Sequence, residues 1–286
     1  MFCAKIAVTI LLTSAAFAAD FSGASALKYT QAAVAFGPRP SGSAANKQLQ
    51  AYIRTQLHLL KCEVTEDPFV GKTPKGDVTM TNIIAKFPGK SGHAIAVTGH
   101  FDTKLFPKRR FVGANDGGSS TGLLLELAHV LSQTEHADDI YVVFFDGEEA
   151  VGDWTETDSV YGSRHLAYKW KGDGTLPRLK ALINVDMIGD KSLDVLIEEN
   201  STVSLRKLVW KAAADLGYKT YFLDEGEKVD DDHMPFVKLG VPSLDLIDFD
   251  YDPWHKDSDT MDKLSPKSLE IVGAVVLESV KRIDKQ

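Results

Sequence analysis

The stretch FFDGEEAVGDW, residues 144 to 154, sets two adjacent carboxylates, Glu148 and Glu149, at the end of an apolar run. Like charges side by side at the end of a buried strand need a cation or a raised pKa. Further acids and imidazoles recur at matching places. His100 and Asp102 follow AIAVTG, Asp116 lies in the Gly-rich turn before GLLLELAHVL, Asp186 ends ALINV, and His255 comes shortly after PSLDLID. Carboxylates and imidazoles with no available thiolate suit zinc in a catalytic site that keeps an open coordination position. Successive residues in a turn point different ways, so one glutamate can ligate the ion while the other stands beside it as a proton carrier. Taken singly, each residue has a plainer use: Asp116 can cap the following helix, His100 and His255 can be loop histidines, and Asp186 a turn residue. Their company points to a metal.

Two other catalytic patterns compete. Gly118-Ser119-Ser120-Thr121-Gly122 matches G-x-S-x-G, and later Asp and His residues follow in the order of an α/β-hydrolase. A nucleophile elbow must follow directly on a buried strand, however, and FVGAND is short and polar. There is no H-E-x-x-H, so a helical zinc-protease site is not supported.

These residues need elements to position them. SALKYTQAAVAFG reads as a helix ended by Gly37, and after the turn PRPSGS a second helix, ANKQLQAYIRTQLHLL, puts Leu49, Ile53, Leu57 and Leu60 on one face. Short apolar runs then alternate with helical patterns: NIIAKF, AIAVTGH, IYVVFF, ALINVDM and PSLDLID, separated by GLLLELAHVLSQ, VYGSRHLAYKW and SLRKLVWKAAADLG. Such alternation predicts an α/β fold, a mixed, mostly parallel sheet with helices on both faces. A last helix, SPKSLEIVGAVVLESVKRI, opens on a Ser265-Pro266 cap signal. In open α/β sheets ligands bind beyond the carboxyl ends of the strands, which is where the candidate residues fall.

The first residues, MFCAKIAVTILLTSAAFAAD, carry a lysine, an apolar stretch from Ile6 to Leu12 and an Ala16-Phe17-Ala18 end, the pattern of a secretory signal peptide over residues 1–18. A membrane anchor is the weaker reading, since the apolar stretch is too short to span a bilayer. Residues 19–286 are then expected to form a single exported catalytic domain, periplasmic or extracellular, with no later membrane insertion. Cys3 leaves with the signal and Cys62 stands alone, so stability is expected from packing and metal rather than disulfides. A formal charge of −8 and the lack of a basic stripe with interleaved aromatics exclude nucleic acid as the expected partner. Lys108-Arg109-Arg110 reads as a solvated loop.

The series GHFDT, GANDGGSSTG, FFDGEEA, NVDMIGD and DPWHKDSDT resembles the zinc aminopeptidase superfamily, with its three-layer phosphorylase/hydrolase-like fold. Within it, FFDGEEAVGDW, DSVYGSRHLA, DDHMPFVKLGVPSLDLI and PWH look more like the glutaminyl-peptide cyclotransferases, from about residue 38 to the end. The resemblance implies one catalytic zinc held by Asp116, Glu149 and His255, with Glu148 as proton shuttle and Asp186 and Asp231 as an acid network beside it. It also implies that Trp154 and Trp254 line the substrate pocket, although a tryptophan near a helix start can equally be core packing. The implied reaction turns the N-terminal Gln of peptides or proteins into pyroglutamate with loss of ammonia. The alternative is a co-catalytic di-zinc aminopeptidase in which His100 and Asp186 help hold a second ion. A metal-free, partner-binding ectodomain is a third reading, and the full ligand set argues against it. Peptide or protein substrates with a free N-terminus are the expected partners, and the chain is expected to be a monomer.

Overall fold

The computed structural model describes residues 20–286; the stretch read as a signal peptide, residues 1–18, lies outside the described residues. In chain order come helices α1 (Gly23–Val34) and α2 (Ala44–Leu57), the hairpin of β1 (Glu63–Thr73) and β2 (Gly76–Phe87), then β3 (Ala94–His100), α3 (Gly118–Leu131), β4 (Asp139–Phe145), α4 (Tyr161–Asp173), β5 (Leu179–Asp186), β6 (Val195–Glu198), α5 (Val203–Asp215), β7 (Phe222–Glu227), α6 (Met234–Lys238), β8 (Ser243–Ile247) and α7 (Pro266–Asp284). Serine side chains start three of the helices: Ser22, Ser43 and Ser265 each accept a backbone N–H of the first turn.

The main sheet has the order β1-β2-β4-β3-β5-β8. Strands β4, β3, β5 and β8 run parallel, and β2 and β1 extend the sheet antiparallel at one edge. All seven residues of β3 and of β4 are buried, as a parallel strand covered on both faces requires. Helices α1, α2, α3, α5 and α7 cover one face, where Ile53, Leu124 and Val276 meet Ile83, Val97 and Ile183. On the other, Leu166 and Trp170 of α4 and Phe236 of α6 pack on Ile84, Ala96 and Leu182. Three layers result, as expected for an α/β chain.

The edge hairpin departs from the sequence pattern, which starts a strand only at Asn82. β2 begins at Gly76 and pairs with β1 in unbroken register from Glu63 opposite Lys86 to Thr73 opposite Gly76. Most of β1 faces solvent, with only Asp67 and Gly71 buried, and it contains Pro68. An edge strand of this kind carries no alternating apolar signal. The short parallel pair β6-β7 is likewise invisible to periodicity.

The second glycine of the G-x-S-x-G stretch has a packing reason. α1 crosses α3 so closely that a Cβ on Gly122 would overlap Thr30 Oγ1 and the Ala26 carbonyl oxygen. Gly122→Ala should therefore force two buried backbones apart and cost about 3 kcal/mol. The measurement is the urea midpoint; a variant with the parental midpoint would count against this close contact.

Candidate metal centre and active site

Parallel pairing aligns the chemistry. His100, the last residue of β3, lies opposite Phe145, the last of β4, and Asp186 closes β5. After Asp146 the chain turns at Gly147, whose φ of 78° is left-handed, and delivers Glu148 and Glu149 just beyond the strand end. Asp102 fixes that turn by accepting the backbone N–H of Glu148 at 3.1 Å and of Glu149 at 3.3 Å. Asp116 comes from the loop that enters α3. Its helix is capped not by its own side chain but by Gly117, so the plainer use as an N-cap does not apply.

Five side chains from these separate segments converge. His255 Nε2 lies 3.2 Å from Glu149 Oε1 and 3.4 Å from Asp116 Oδ2. His100 Nε2 lies 3.1 Å from Asp186 Oδ1 and 3.4 Å from Asp116 Oδ1. Asp116 thus turns one oxygen to each histidine and belongs to two candidate ligand sets, Asp116/Glu149/His255 and His100/Asp116/Asp186, each with donor atoms within 4.8 Å of one another. His255 adopts a left-handed φ of 55°, a conformation that costs a β-carbon residue on the order of 1 kcal/mol. Packing maintains it: the ring stacks on Trp254 at 4.3 Å and meets the edges of Phe106 and Phe111 at 5.8 Å. The turn sends the paired glutamates apart, with Glu149 toward His255 and Glu148 Oε2 toward His100, 3.8 Å from its Nδ1.

Electrostatically this cluster is overloaded with negative charge. Burial pushes Asp186 up to about 7, with Asp231 and Asp116 adding to it against His100. Burial also raises Glu149, helped by Asp116, and raises Glu148 well above the usual range, helped by Glu149, Asp231 and Asp232. For His255 burial works downward, but the facing carboxylates of Asp116 and Glu149 win and hold it at about 9. Asp116 is the exception: burial works upward, and the facing His255 and His100 pull it below the ordinary value. Asp116 Oδ2, Glu149 Oε2 and His100 Nδ1 are buried without a hydrogen-bond partner. Buried, unpaired oxygens and imidazoles at ligand spacing fit a divalent cation such as zinc.

A cavity of about 410 Å3 opens onto this cluster. Glu148, Asp186 and Asp231 face it, and Trp154 and Trp254 stand on its rim, 39% and 40% exposed. Both tryptophans are therefore pocket residues and not core packing. Lys104, Val229 and Phe249 line it too, and none of them was legible beforehand. Lys104 holds its amine 3.5 Å from Glu149 Oε2, and its N–H donates to Oε1 at 3.0 Å.

Other supporting acids also escape a sequence reading. Asp259 accepts the N–H groups of Asn115 at 2.8 Å and Asp116 at 3.2 Å, and Tyr251 OH at 2.8 Å, so it shapes the Asp116 loop. Asp245, which interrupts the apolar run of β8, accepts from Asn184 Nδ2 at 3.1 Å and is pushed well up by burial and by Asp231. A lone aspartate inside PSLDLID was the available signal. Ser120, the nucleophile position of G-x-S-x-G, is fully buried and donates to the His100 carbonyl at 2.7 Å, which removes the serine-hydrolase reading.

The model of peptidase family M28 matches residues 82–280. A glutaminyl-peptide cyclotransferase of Drosophila melanogaster is 30% identical over 249 residues, covering 78% of this chain and 70% of that protein. Among solved structures, a glutaminyl cyclase from an Acidobacteriales bacterium superimposes with a TM-score of 0.90 at 38% identity, over 98% of this chain and 99% of that one. A Zn-dependent exopeptidase from Parabacteroides distasonis is also similar, with a TM-score of 0.82 at 28% identity, over 92% of this chain and 99% of that one.

An ion held by His255 must displace the proton that the imidazole carries below about 9. Zinc uptake at pH 7 should therefore release about one proton per ion or more, and affinity should rise up to roughly tenfold per pH unit between 7 and 9. Calorimetric titration in buffers of different ionisation heat reads this directly; heats independent of buffer would speak against His255 as a ligand.

Proposed function

This chain belongs to peptidase family M28, on the branch of the glutaminyl-peptide cyclotransferases, and on that premise we propose that it converts the N-terminal glutamine of peptides or proteins into pyroglutamate. The observation that carries the reading is the division of the glutamate pair: Glu149 turns to Asp116 and His255, while Glu148 faces the cavity beside Asp186 and Asp231. Asp116, Glu149 and His255 would hold one zinc ion. When bound, the ion supplies Lewis acidity to the substrate's side-chain carboxamide oxygen.

The remaining steps belong to the chain's own side chains. Burial and the neighbouring acids raise Glu148 well above an ordinary carboxyl, which suits a group that must both accept and return a proton. Glu148 takes a proton from the α-amine as that nitrogen bonds to the carboxamide carbon, then delivers it to the departing nitrogen. The carbon–nitrogen bond of the amide breaks and ammonia leaves. Asp186 and Asp231 hold the amine and the leaving nitrogen against Glu148, and the walls of Trp154 and Trp254 keep the folded glutamine side chain close to its own amine. Such proximity is worth on the order of several kcal/mol of the barrier. Water is not a reactant.

A second reading rests on one specific observation, the complete second set of His100, Asp116 and Asp186. With two ions the chain would be an aminopeptidase, and Glu148 would take its proton from attacking water. In either reading the chain is exported, supported by its N-terminal sequence pattern, and among the described residues no helix is long and apolar enough to cross a membrane. One chain supplies all five cluster residues, which supports a monomer as the working unit.

Purified protein incubated in parallel with a Gln-initiated peptide and a chromogenic aminoacyl substrate, with zinc counted by elemental analysis, separates the readings. Ammonia release at one zinc per chain is the expected result; free amino acid at two zincs would overturn it. Glu148→Gln should keep its zinc and lose turnover by at least about a hundredfold, whereas near-parental turnover would remove Glu148 from its assigned role.

A further inference from the structure

Part of the cavity wall is made by a segment without regular structure, residues 228–233, between β7 and α6. It carries Lys228, Val229, Asp230 and Asp231 to the cavity, so the position of Asp231 depends on what holds this segment. Its anchors converge on a buried carboxylate that takes no part in the chemistry above. Glu198, the last residue of β6, is 1% exposed. Its Oε1 accepts the N–H of Val229 at 3.2 Å and of Asn200 at 2.8 Å. Its Oε2 accepts Ser201 OH at 2.8 Å and His233 Nε2 at 3.0 Å. Val229 and His233 bracket the wall, so one side chain grips it near both ends.

Neighbouring contacts reinforce the grip. Asn200 Nδ2 donates to the Val229 carbonyl at 3.2 Å, and Glu199 N–H to the Glu227 carbonyl at 2.9 Å. The Ser201 hydroxyl that donates to Glu198 also accepts the N–H of Asp245 at 3.0 Å, tying the same carboxylate to β8. His233 is fully buried, with Nε2 on Glu198 and Nδ1 3.9 Å from Asp245 Oδ2. Burial works against charge on Glu198, but the bonds from His233, Asn200 and Ser201 overcome it and hold the carboxyl at about 2. A carboxylate saturated by four donors is rigid, and a rigid anchor is what a loop-borne catalytic acid lacks by itself.

We propose that Glu198 is a positioning residue that clamps the 228–233 wall through Val229 and His233, and thereby sets where Asp231 stands relative to Glu148. The kinetic consequence rests on the cyclotransferase reading; the clamp itself does not. Neither Glu198 nor any of its partners belongs to the two candidate ligand sets, so its loss should leave the ion in place.

The test compares amide hydrogen exchange, zinc content and kinetics of the full chain and Glu198→Gln. Gln keeps the size but replaces one accepting oxygen by a donor. Exchange should quicken at least about tenfold in 228–234 and stay parental in 112–118, zinc content should be unchanged, and kcat should fall about tenfold or more with a smaller change in KM. Parental exchange in 228–234, equal quickening in both segments, or kcat within twofold of the parent would overturn the proposal. If Glu198→Gln does not fold, Ser201→Ala decides, because it takes one of the four donors from Glu198 and reaches the wall only through that carboxylate: quickening of about threefold in 228–234 with 112–118 parental supports the clamp, and none overturns it. A parent chain that does not cyclise Gln-peptides counts against the functional reading alone, since the exchange comparison still decides the clamp.

Discussion

Crowding of buried negative charge at the strand ends is the constraint on which the rest depends. Asp116, Glu148, Glu149 and Asp186 all lie out of water, with Asp231, Asp232 and Asp245 behind them. Two like charges about 4 Å apart repel by roughly 4 kcal/mol at the effective dielectric of a protein. No fold places so many together without an agent that pulls the other way. Protons can serve, and the raised carboxyls and the retained protons of His100 and His255 describe that condition. A divalent ion does the same with one charge centre, and Asp116 and Glu149, each with a buried oxygen outside any hydrogen bond, stand at ligand spacing with His255.

Much of the surrounding structure exists to keep this arrangement from relaxing. Arg39, fully buried, gives its guanidinium to backbone carbonyls of Phe101, Val112 and Gly113, and so joins the loop after β3 to the loop bearing Asp116. Burial lowers it to about 10 while the nearby acids support its charge. Asp102 pins the glutamate turn, Asp259 pins the Asp116 loop, and Asp146 ties the end of β4 to Ser41, Asn46 and the Thr81 N–H. Most of these supports bind backbone or neutral side chains, although Asp102 also faces His100 Nδ1 at 3.6 Å. Asp116 and Glu149 therefore each keep one buried oxygen outside any hydrogen bond.

Positioning is split between two kinds of element. His100 and Asp186 close parallel strands, the glutamate pair follows the end of β4 and Asp116 enters α3, whereas His255 sits in the loop after β8. The cavity residues Trp154, Asp231, Phe249 and Trp254 come from loops. Loop-borne members of either set need local clamps: Asp102 and Asp259 on the cluster side, the stacking of Trp254 on His255, and the Glu198 grip on the 228–233 wall. This division lets one scaffold keep its ion site while the pocket around it is reshaped, which is why members of one family can differ in reaction.

Sequence by itself determined the strand-and-helix alternation, because fully apolar runs such as IYVVFF and AIAVTGH have no stable place except inside a covered sheet. It also determined the cluster's composition, since Glu148 and Glu149 side by side demand a counter-charge wherever the chain puts them. Motif resemblance then named the partners of that pair. The hairpin β1-β2, the pair β6-β7, and the roles of Lys104, Asp245, Asp259 and Glu198 were decided only in three dimensions. The physical reason is range. Periodicity records burial within one segment, whereas a hydrogen bond between residues 31 or 144 positions apart leaves no trace in the letters around either partner.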